Sequence, residues 1–209
     1  MQVAIIGCGV AGLTLAISLV DQGHQVRVFE KRAAASVRQE GLFLMLAPNG
    51  TSRLANLGPL ADLTARGIVT TGIELLHERG KRMGFFDQAD HQAVFGGPSL
   101  SIARNDLINV LLGWARARGI VVRFDCDLTD LTQSPDQVTA RFSDGTALSC
   151  DWVAGCDGLG STVRRQIFPD APAPHYTGLI GSGGITELPS VAGTGGTMRM
   201  VFGHDAFFG

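Results

Sequence analysis

A glycine turn near the N-terminus, Gly7-Cys8-Gly9-Val10-Ala11-Gly12, constrains the fold of this chain more than any other feature. The apolar run from Gln2 to Ile6 precedes it and is typical of a strand buried on both faces of a parallel sheet. A helix is expected from Val10 to Gln22, where Gly23 ends it. The next strand is predicted from Gln25 to Glu30. Together these elements form a complete βαβ unit, which indicates an α/β fold.

Each glycine of this turn has a separate physical role. Gly7 permits a tight turn, Gly9 allows the backbone to approach a pyrophosphate closely, and Gly12 allows the helix to pack on the strand. The N–H groups at the start of the helix, beginning with Val10 and Ala11, attract an anion. We therefore expect these five residues to bind the phosphates of a dinucleotide.

An acidic residue follows the glycine turn at the spacing that a dinucleotide site requires. Glu30 ends the second predicted strand, 18 residues after Gly12, where a carboxylate can accept hydrogen bonds from an adenosine ribose. We expect Glu30 and the neighbouring Lys31 to contact the cofactor. Two alternatives stay open: a glycine-rich turn in an α/β protein that binds no nucleotide, and a solvated strand end at Glu30, Lys31 and Arg32.

Composition excludes several other classes of function. The 209 residues carry 17 basic and 19 acidic side chains, a net charge of −2, without a Lys/Arg-rich run, so a nucleic-acid partner is not expected. The four cysteines form no C-x-x-C pair, which argues against a metal site and a disulfide framework and favours reduced thiols in a cytoplasmic protein. The uncharged run from Val3 to Val20 is interrupted by glycines and lacks a preceding basic region, so we expect no membrane span.

Further elements follow from periodicity and turn signals. The predicted helices are Thr51 to Leu57 and Asn105 to Arg118, and strands with an Arg79-Gly80 turn are predicted within Ile68 to Phe86. The other predicted strands are Ile120 to Phe124, Val138 to Phe142, Ala147 to Cys150, Trp152 to Ala154, His175 to Ile185 and Thr197 to Phe202. Ser143-Asp144-Gly145 is a strong hairpin signal between two of them.

Beyond the glycine turn, three local matches in the right order point to one family. The segment from Val153 to Arg164 resembles the Asp-Gly motif of the aromatic-ring hydroxylases, usually written G-A-D-G-x-x-S-x-V-R, and departs from it at Cys156. Arg104 is similar to the arginine that opens a helix in that family, and Gly41 to Asn49 is similar to the segment that passes beside the flavin ring. The chain thus resembles the group A flavoprotein monooxygenases, of the p-hydroxybenzoate or salicylate hydroxylase type.

The resemblance implies a particular fold and domain organisation. It implies a Rossmann-like FAD-binding domain of the glutathione-reductase type, with a βαβ unit and a β-meander, interleaved with an incomplete β-sheet substrate domain. We expect the FAD-binding domain at residues 1–68 and 99–168. The partial substrate domain is expected at 69–98 and 169–209, truncated at the C-terminus.

The resemblance also implies a cofactor and a reaction. FAD would be reduced by NAD(P)H, and a flavin C4a-hydroperoxide would transfer one oxygen atom to a small aromatic or similarly electron-rich substrate. Water exclusion and orientation of the flavin would be the main contributions of the protein. No histidine lies in a motif with a nucleophile or metal partner, and no G-x-S-x-G elbow supports a hydrolase, so the catalytic residues stay unknown.

Four more residues are expected to bind FAD by this resemblance. Arg104 would supply a bidentate cation near the diphosphate, and Asp157 with Gly158 would supply a carboxylate and a close backbone approach. Arg38 would lie by the flavin or its diphosphate. Alternatively, Arg104 is a surface residue that neutralises Asp106, and Asp157 is a helix-capping or turn carboxylate.

Ser161 and Arg164 either support the Asp157 loop, face the nicotinamide, or simply begin a helix.

The substrate cavity is expected in the segments from Ile68 to Ser99 and from Pro172 onward. Their phenylalanines suit either an apolar aromatic pocket or an ordinary core, and these are Phe85, Phe86, Phe95, Phe202, Phe207 and Phe208. The family's later Gly-Asp motif is not present before Gly209, so we expect a fragment that alone binds FAD weakly and turns over poorly.

Two other functions stay open. The first is a FAD-dependent reductase or epoxidase of the same superfamily that acts on a lipid-like substrate. The second is a non-catalytic FAD-binding or nucleotide-binding module.

Overall fold

The computed structural model describes residues 1–39, 41–184 and 189–209. Its strands are, in chain order, β1 (Gln2–Ile6), β2 (Gln25–Phe29), β3 (Phe43–Leu46), β4 (Ile68–Val69), β5 (Gly72–His77), β6 (Arg82–Asp87), β7 (Leu100–Ala103), β8 (Val121–Arg123), β9 (Leu128–Gln133), β10 (Val138–Phe142), β11 (Ala147–Cys150), β12 (Trp152–Gly155), β13 (Thr197–Phe202) and β14 (Phe207–Phe208). Its helices are α1 (Val10–Asp21), α2 (Ala34–Gln39), α3 (Pro48–Leu57), α4 (Leu60–Thr64), α5 (His91–Phe95), α6 (Arg104–Ala117) and α7 (Thr162–Ile167).

The chain divides into two compact units, each built from two separate stretches. The first unit combines Met1–Gly41 with Leu107–Ser182, and the second combines Leu42–Asp106 with Gly183–Gly209. The predicted domain boundaries followed residues 68, 98 and 168, whereas these units divide after residues 41, 106 and 182. The assignment of one domain to FAD and the other to substrate stays a prediction.

A four-stranded sheet in the order β12-β1-β2-β8 forms the centre of the first unit. Every pairing in it is parallel, and Ile5 in β1 lies opposite Val28 in β2 and Ala154 in β12. The side chains of Ala4 and Ile5 are both fully buried, as expected of a strand covered on both faces. The predicted βαβ unit is confirmed, with β1 at its predicted bounds and α1 ending at Asp21.

The two faces of this sheet have different coverings. Ile5 faces α1, since its side chain lies 3.3 Å from the position of a Cβ added to Gly12. Ala4 and Ile6 alternate with it and pack in a cluster with the antiparallel meander β11-β10-β9. Within that cluster the rings of Phe29 and Phe142 stack with centroids 4.3 Å apart. The β-meander expected from the resemblance is therefore present.

Helix α6 confirms the helix predicted from apolar spacing. The five apolar residues that predicted it, Leu107, Ile108, Leu111, Leu112 and Ala115, are all buried and recur at intervals of three and four residues, and Val110 is buried as well. The helix begins at Arg104, one residue before its predicted start. It ends before Gly119, whose φ of 72° is in the left-handed region.

Replacing Gly113 by alanine is expected to stabilise the protein by about 0.5 to 1 kcal/mol. Gly113 lies in the middle of α6, is exposed, and has no atom within 4 Å of an added Cβ. Alanine would therefore restrict the unfolded chain and favour the helix without a steric cost. Urea unfolding followed by circular dichroism measures the change, and a lower free energy of unfolding would contradict the expectation.

The second unit contains two small sheets, β14-β13-β5-β6 and β3-β7-β4. The predicted hairpin within Ile68 to Phe86 is confirmed by the antiparallel pair β5 and β6, joined by a turn in which Gly80 has a φ of 78°. Strand β13 has its predicted bounds and pairs in parallel with β5. Helix α3 begins at Pro48, three residues before its predicted start, because proline is compatible with the first turn of a helix.

The strand predicted from His175 to Ile185 is wrong for its described part. Residues 175–184 form no strand and are exposed, and Ile185 lies outside the described residues. Gly178, Gly181 and Gly183 leave this segment few side chains to pack on a sheet, which explains the failure.

The uncharged run from Val3 to Val20 forms strand β1, the glycine turn and most of α1. Helices of the described ranges all fall short of the length and apolarity that crossing a bilayer requires.

Candidate functional site

The carboxyl ends of three neighbouring parallel strands bring the predicted site of the first unit together. Strand β1 lies between β12 and β2, and each strand is followed at this edge by residues expected to bind the cofactor. Gly7 follows β1, Glu30 follows β2, and Asp157 with Gly158 follows β12. Ligands of open α/β sheets bind at such carboxyl ends.

Gly7 and Gly12 are required by the packing of the turn itself. Gly7 has a φ of 106°, and a Cβ at this position would overlap the carbonyl of Cys156. Its N–H donates to the carbonyl of Phe29 at 2.7 Å. A Cβ at Gly12 would overlap the carbonyl oxygen of Gly7. The roles predicted for these glycines, a tight turn and close packing of helix on strand, agree with this geometry.

Gly9 differs, because no contact with the described residues explains its lack of a side chain. Its φ of −88° and ψ of −173° are open to any residue, and no atom lies within 4 Å of an added Cβ. Gly9 is the N-cap of α1, whose first N–H groups have no acceptor within the helix. Open space in front of unpaired donors at the positive end of a helix fits a diphosphate.

Glu30 is a buried carboxylate that accepts three hydrogen bonds from the protein. It is 5% exposed, so the alternative of a solvated strand end is wrong. Its Oε2 accepts from the N–H of Cys8 at 2.9 Å, and its Oε1 accepts from the N–H and Nε of Arg32 at 3.0 and 2.9 Å. Burial raises the pKa of Glu30, but the hydrogen bonds from Arg32 and Cys8 outweigh it and hold the pKa below its ordinary value.

Arg32 was not predicted to be part of the site. Its only sequence signal is a basic residue two positions after the acid that ends β2. Lys31, which was predicted to contact the cofactor, is exposed, and that contact stays a prediction.

Arg38 lies within electrostatic range of the glycine turn. Burial raises the pKa of the Cys8 thiol to about 12, the charge of Glu30 adds to this, and the positive charges of Arg32 and Arg38 oppose it. Arg38 is half-buried in the last turn of α2, and its carbonyl accepts from Asn109 Nδ2 at 3.2 Å. The structure thus supports a place for Arg38 near the turn, while its contact with FAD stays a prediction.

Asp157 engages the start of helix α7 with both carboxylate oxygens. Oδ1 accepts from the Ser161 hydroxyl at 2.6 Å, and Oδ2 accepts from the N–H groups of Thr162 and Val163 at 2.6 and 3.2 Å. The alternative of a capping carboxylate therefore describes its contacts within the protein. Gly158, with a φ of 78°, is part of the loop that these bonds order. Contact of either residue with FAD stays a prediction.

The helix-start role considered for Ser161 is confirmed, since its hydroxyl accepts from the N–H of Arg164 at 2.9 Å. Arg164 supports the same loop, because its Nη2 donates to the carbonyl of Leu159 at 2.9 Å.

Arg104 belongs to the second unit, where it begins helix α6. Its N–H donates to the carbonyl of Leu42 at 2.7 Å, and the residue is half-buried. The alternative partner Asp106 lies 3.8 Å from Arg66 Nη1 instead. The contact of Arg104 with FAD stays a prediction.

The second unit also contains an open cavity of about 410 Å³. Phe43, Ile68 and Met198 contribute apolar walls. Arg66 and Arg199 also line the cavity, and they are paired with Asp106 at 3.8 Å and with Glu74 at 3.1 Å. Thr70 and Ser101, which share a hydroxyl hydrogen bond of 2.8 Å, also line it. Because only one hydroxyl proton is used within that pair, the other is free to meet a ligand.

The phenylalanines expected to form a substrate pocket lie elsewhere. Among the described residues, none of the six lines this cavity, and all are at least 36% exposed. The alternative of an ordinary core is therefore wrong for these six, and a substrate pocket lined by them stays a prediction. Phe202 and Phe207 stack with centroids 5.5 Å apart, and Arg82 lies 4.8 Å above the ring of Phe85.

Within the described ranges, no three His, Cys, Asp or Glu side chains are grouped so as to hold a metal ion. Cys8, Cys126, Cys150 and Cys156 are all free thiols.

Comparisons of the sequence connect the chain with known proteins. The family model described as "FAD binding domain" matches residues 1–191. The chain is 32% identical over 204 residues to 3-amino-4-hydroxybenzoate 2-monooxygenase of Streptomyces cremeus, which is 97% of this chain and 50% of that protein. It is 30% identical over 180 residues to 3-hydroxybenzoate 6-hydroxylase of Klebsiella oxytoca, covering 82% of this chain and 44% of that protein. The chain thus spans about half the length of these relatives.

Solved structures agree with the predicted fold class. The structure of HpxO from Klebsiella pneumoniae, complexed with FAD and uric acid, matches with a TM-score of 0.68 and 26% identity over 79% of this chain and 41% of that chain. The structure of pqsL from Pseudomonas aeruginosa matches with a TM-score of 0.69 and 28% identity over 84% of this chain and 48% of that chain.

Proposed function

Since the chain belongs to the FAD binding domain family, we propose that it is the FAD-binding portion of a monooxygenase that hydroxylates a small aromatic or similarly electron-rich substrate. NAD(P)H is the proposed electron donor. When bound, FAD supplies the redox chemistry, in which it takes up a hydride and activates oxygen, in this proposal as the C4a-hydroperoxide.

One observation carries the proposal: the backbone angles at position 9 and the space around it would accept a side chain, yet the residue is glycine. A diphosphate that passes against Gly9 accounts for this, because it needs the backbone to come close. The N–H groups that begin α1 bind the anion, and the half-buried Arg38 adds positive charge. Glu30 accepts a hydrogen bond from the adenosine ribose.

Residues at the neighbouring strand end complete the proposed cofactor site. The Asp157 carboxylate keeps its loop in one conformation, and Gly158 allows the backbone of that loop to approach FAD. Arg104 is proposed as the bidentate cation that binds the diphosphate.

For the substrate we propose a hydroxylated benzoate, the type of molecule named for the Streptomyces cremeus and Klebsiella oxytoca relatives. The cavity of about 410 Å³ can contain one aromatic ring between Phe43, Ile68 and Met198. Arg66 and Arg199 suit its carboxylate, and the Thr70 and Ser101 hydroxyl pair suits a ring hydroxyl.

A titration with FAD tests the proposal. We expect the protein to quench flavin fluorescence saturably at micromolar FAD and to shift the flavin absorption bands. Riboflavin, which lacks the diphosphate and adenosine, is the matched control and should bind at least about a hundredfold more weakly, since the proposed contacts are with those groups. Equal affinity for FAD and riboflavin, or no binding of either, would contradict a dinucleotide site.

Isotopically labelled oxygen separates monooxygenation from the alternatives. With NAD(P)H and 3-hydroxybenzoate, label in the hydroxylated product supports the proposed reaction. Oxidation of NAD(P)H that leaves the product unlabelled indicates a reductase. FAD binding without turnover is expected both of a fragment of a monooxygenase and of a binding module.

A further inference from the structure

We propose that Arg32 is a positioning residue, which fixes the Glu30 carboxylate so that Oε2 is the oxygen left to accept a ribose hydroxyl. The inference rests on the proposed function, because the ribose is that of FAD. Arg32 is assigned no contact with the cofactor itself. It acts through Glu30.

The two carboxylate oxygens of Glu30 accept different numbers of hydrogen bonds from the protein. A carboxylate has about four acceptor sites, two on each oxygen. Oε1 receives two donors, the N–H of Arg32 at 3.0 Å and its Nε at 2.9 Å, so its capacity is used. Oε2 receives one donor, the N–H of Cys8 at 2.9 Å. One acceptor site on Oε2 therefore remains, beside the glycine turn to which Cys8 belongs.

Arg32 is itself held by the neighbouring strand and turn. The N–H of Asp125 donates to the carbonyl of Arg32 at 3.2 Å, and the N–H of Cys126 donates to the carbonyl of Glu30 at 3.0 Å. The N–H of Glu30 in turn donates to the carbonyl of Arg123 at 2.8 Å. These bonds on both sides of the ion pair fix the main chain, so the guanidinium needs little further ordering to reach Glu30.

Among the groups around Glu30, Arg32 supplies most of the positive charge that balances the negative charge of the carboxylate. Cys8 contributes a thiol whose pKa is raised, and Arg38 acts on that thiol from α2. From β8, the guanidinium of Arg123 is paired with Asp144 at 2.7 Å. Asp125 and Cys126 contact the segment through backbone atoms, and Lys31 is exposed.

Loss of Arg32 should therefore change the protonation of Glu30. Burial alone raises the pKa of a carboxyl group, and Arg32 is the first of the contacts that lower it here. Without the guanidinium the pKa of Glu30 would be higher, so the carboxyl would begin to bind a proton at a higher pH than in the parent. A protonated carboxyl loses acceptor capacity, so affinity for FAD would fall as the pH decreases.

The test measures the dissociation constant for FAD between about pH 8 and pH 5.5 in Arg32→Gln and Arg32→Lys. For Arg32→Gln we expect affinity about tenfold weaker than that of the parent at pH 8, and about a further tenfold loss at pH 5.5. Arg32→Lys keeps the charge, so its affinity should vary with pH as little as that of the parent. Arg27→Gln, on the exposed side of β2, is the matched control and should leave affinity unchanged.

A double-mutant cycle shows whether Arg32 acts through Glu30. In a Glu30→Gln background, where the side chain does not ionise, Arg32→Gln should change affinity less than about twofold and without pH dependence. An undiminished loss in that background, or an Arg32→Gln pH profile equal to that of the parent, would overturn the inference. A parent protein that binds no FAD at any pH would instead refute the proposed function. Circular dichroism of each variant establishes that it is folded, and if Arg32→Gln is not, a pH-dependent loss in Arg32→Lys decides against the inference.

Discussion

Replacing Gly9 by serine is expected to weaken FAD binding by at least about a hundredfold, roughly 2.7 kcal/mol, with little change in stability. The φ of −88° suits serine, and no atom in the part of the chain that the structure describes lies within 4 Å of the added Cβ. Serine is also a favourable N-cap residue, so α1 should begin as it does now. The new side chain would instead occupy the space that we assign to the diphosphate. Quenching of flavin fluorescence measures the affinity, and thermal unfolding measures the stability.

Gly113→Ser is the matched control for this experiment. Gly113 also has open space around an added Cβ, but it lies in the middle of α6 rather than at the proposed site. We expect this variant to bind FAD as the parent does. If Gly9→Ser keeps the parent affinity, then the open space at Gly9 is not where the diphosphate binds, and the observation that carries the proposed function is lost.

Local patterns were sufficient to predict the first βαβ unit. Strand β1 and helix α1 depend on residues adjacent in sequence, and a buried parallel strand differs from an alternating one by its continuous apolar run. The hairpin with Gly145 was predicted for the same reason, since its turn residues adopt the required φ by themselves.

Strands that depend on distant partners were harder to predict. Strand β3 was not predicted, although its four residues are apolar, and it is stabilised by antiparallel pairing with β7, more than 50 residues later in the chain. No local signal reports such a pairing, because strand propensity is mostly a property of the sheet environment. The segment from 175 to 184 shows the opposite error, since apolar residues such as Leu179 and Ile180 are present without a partner strand and are exposed.

Several residues of the candidate site were predictable from local spacing, but their contacts with one another were not. Spacing predicted Gly7, Gly9, Gly12 and Glu30, and the structure places them at adjacent strand ends. The spacing did not predict that the Arg32 side chain donates to the carboxylate of Glu30, because a contact between residues two apart requires a particular bend after β2. The capping of α7 by Asp157 was considered only as an alternative, since capping and cofactor contact use the same residue type.

Replacing Gly12 by alanine is expected to lower the free energy of unfolding by about 3 kcal/mol or more. The added Cβ would overlap the carbonyl oxygen of Gly7, a main-chain atom that cannot rotate away as a side chain can. Helix α1 would have to move from β1, which would disturb the packing of Leu13, Ala16 and Ile17, all fully buried.

Gly113→Ala provides the internal comparison for this experiment, because it makes the same substitution inside a helix. It should increase stability by about 0.5 to 1 kcal/mol, so the two variants should shift the urea midpoint in opposite directions. Equal shifts would mean that intrinsic helix propensity, rather than the contact of α1 with the turn, determines the effect. FAD affinity should also fall in Gly12→Ala, because Gly12 maintains the geometry of the turn. In this variant the lower affinity should be accompanied by lower stability. In Gly9→Ser only the affinity should fall, because Gly9 leaves room for the ligand.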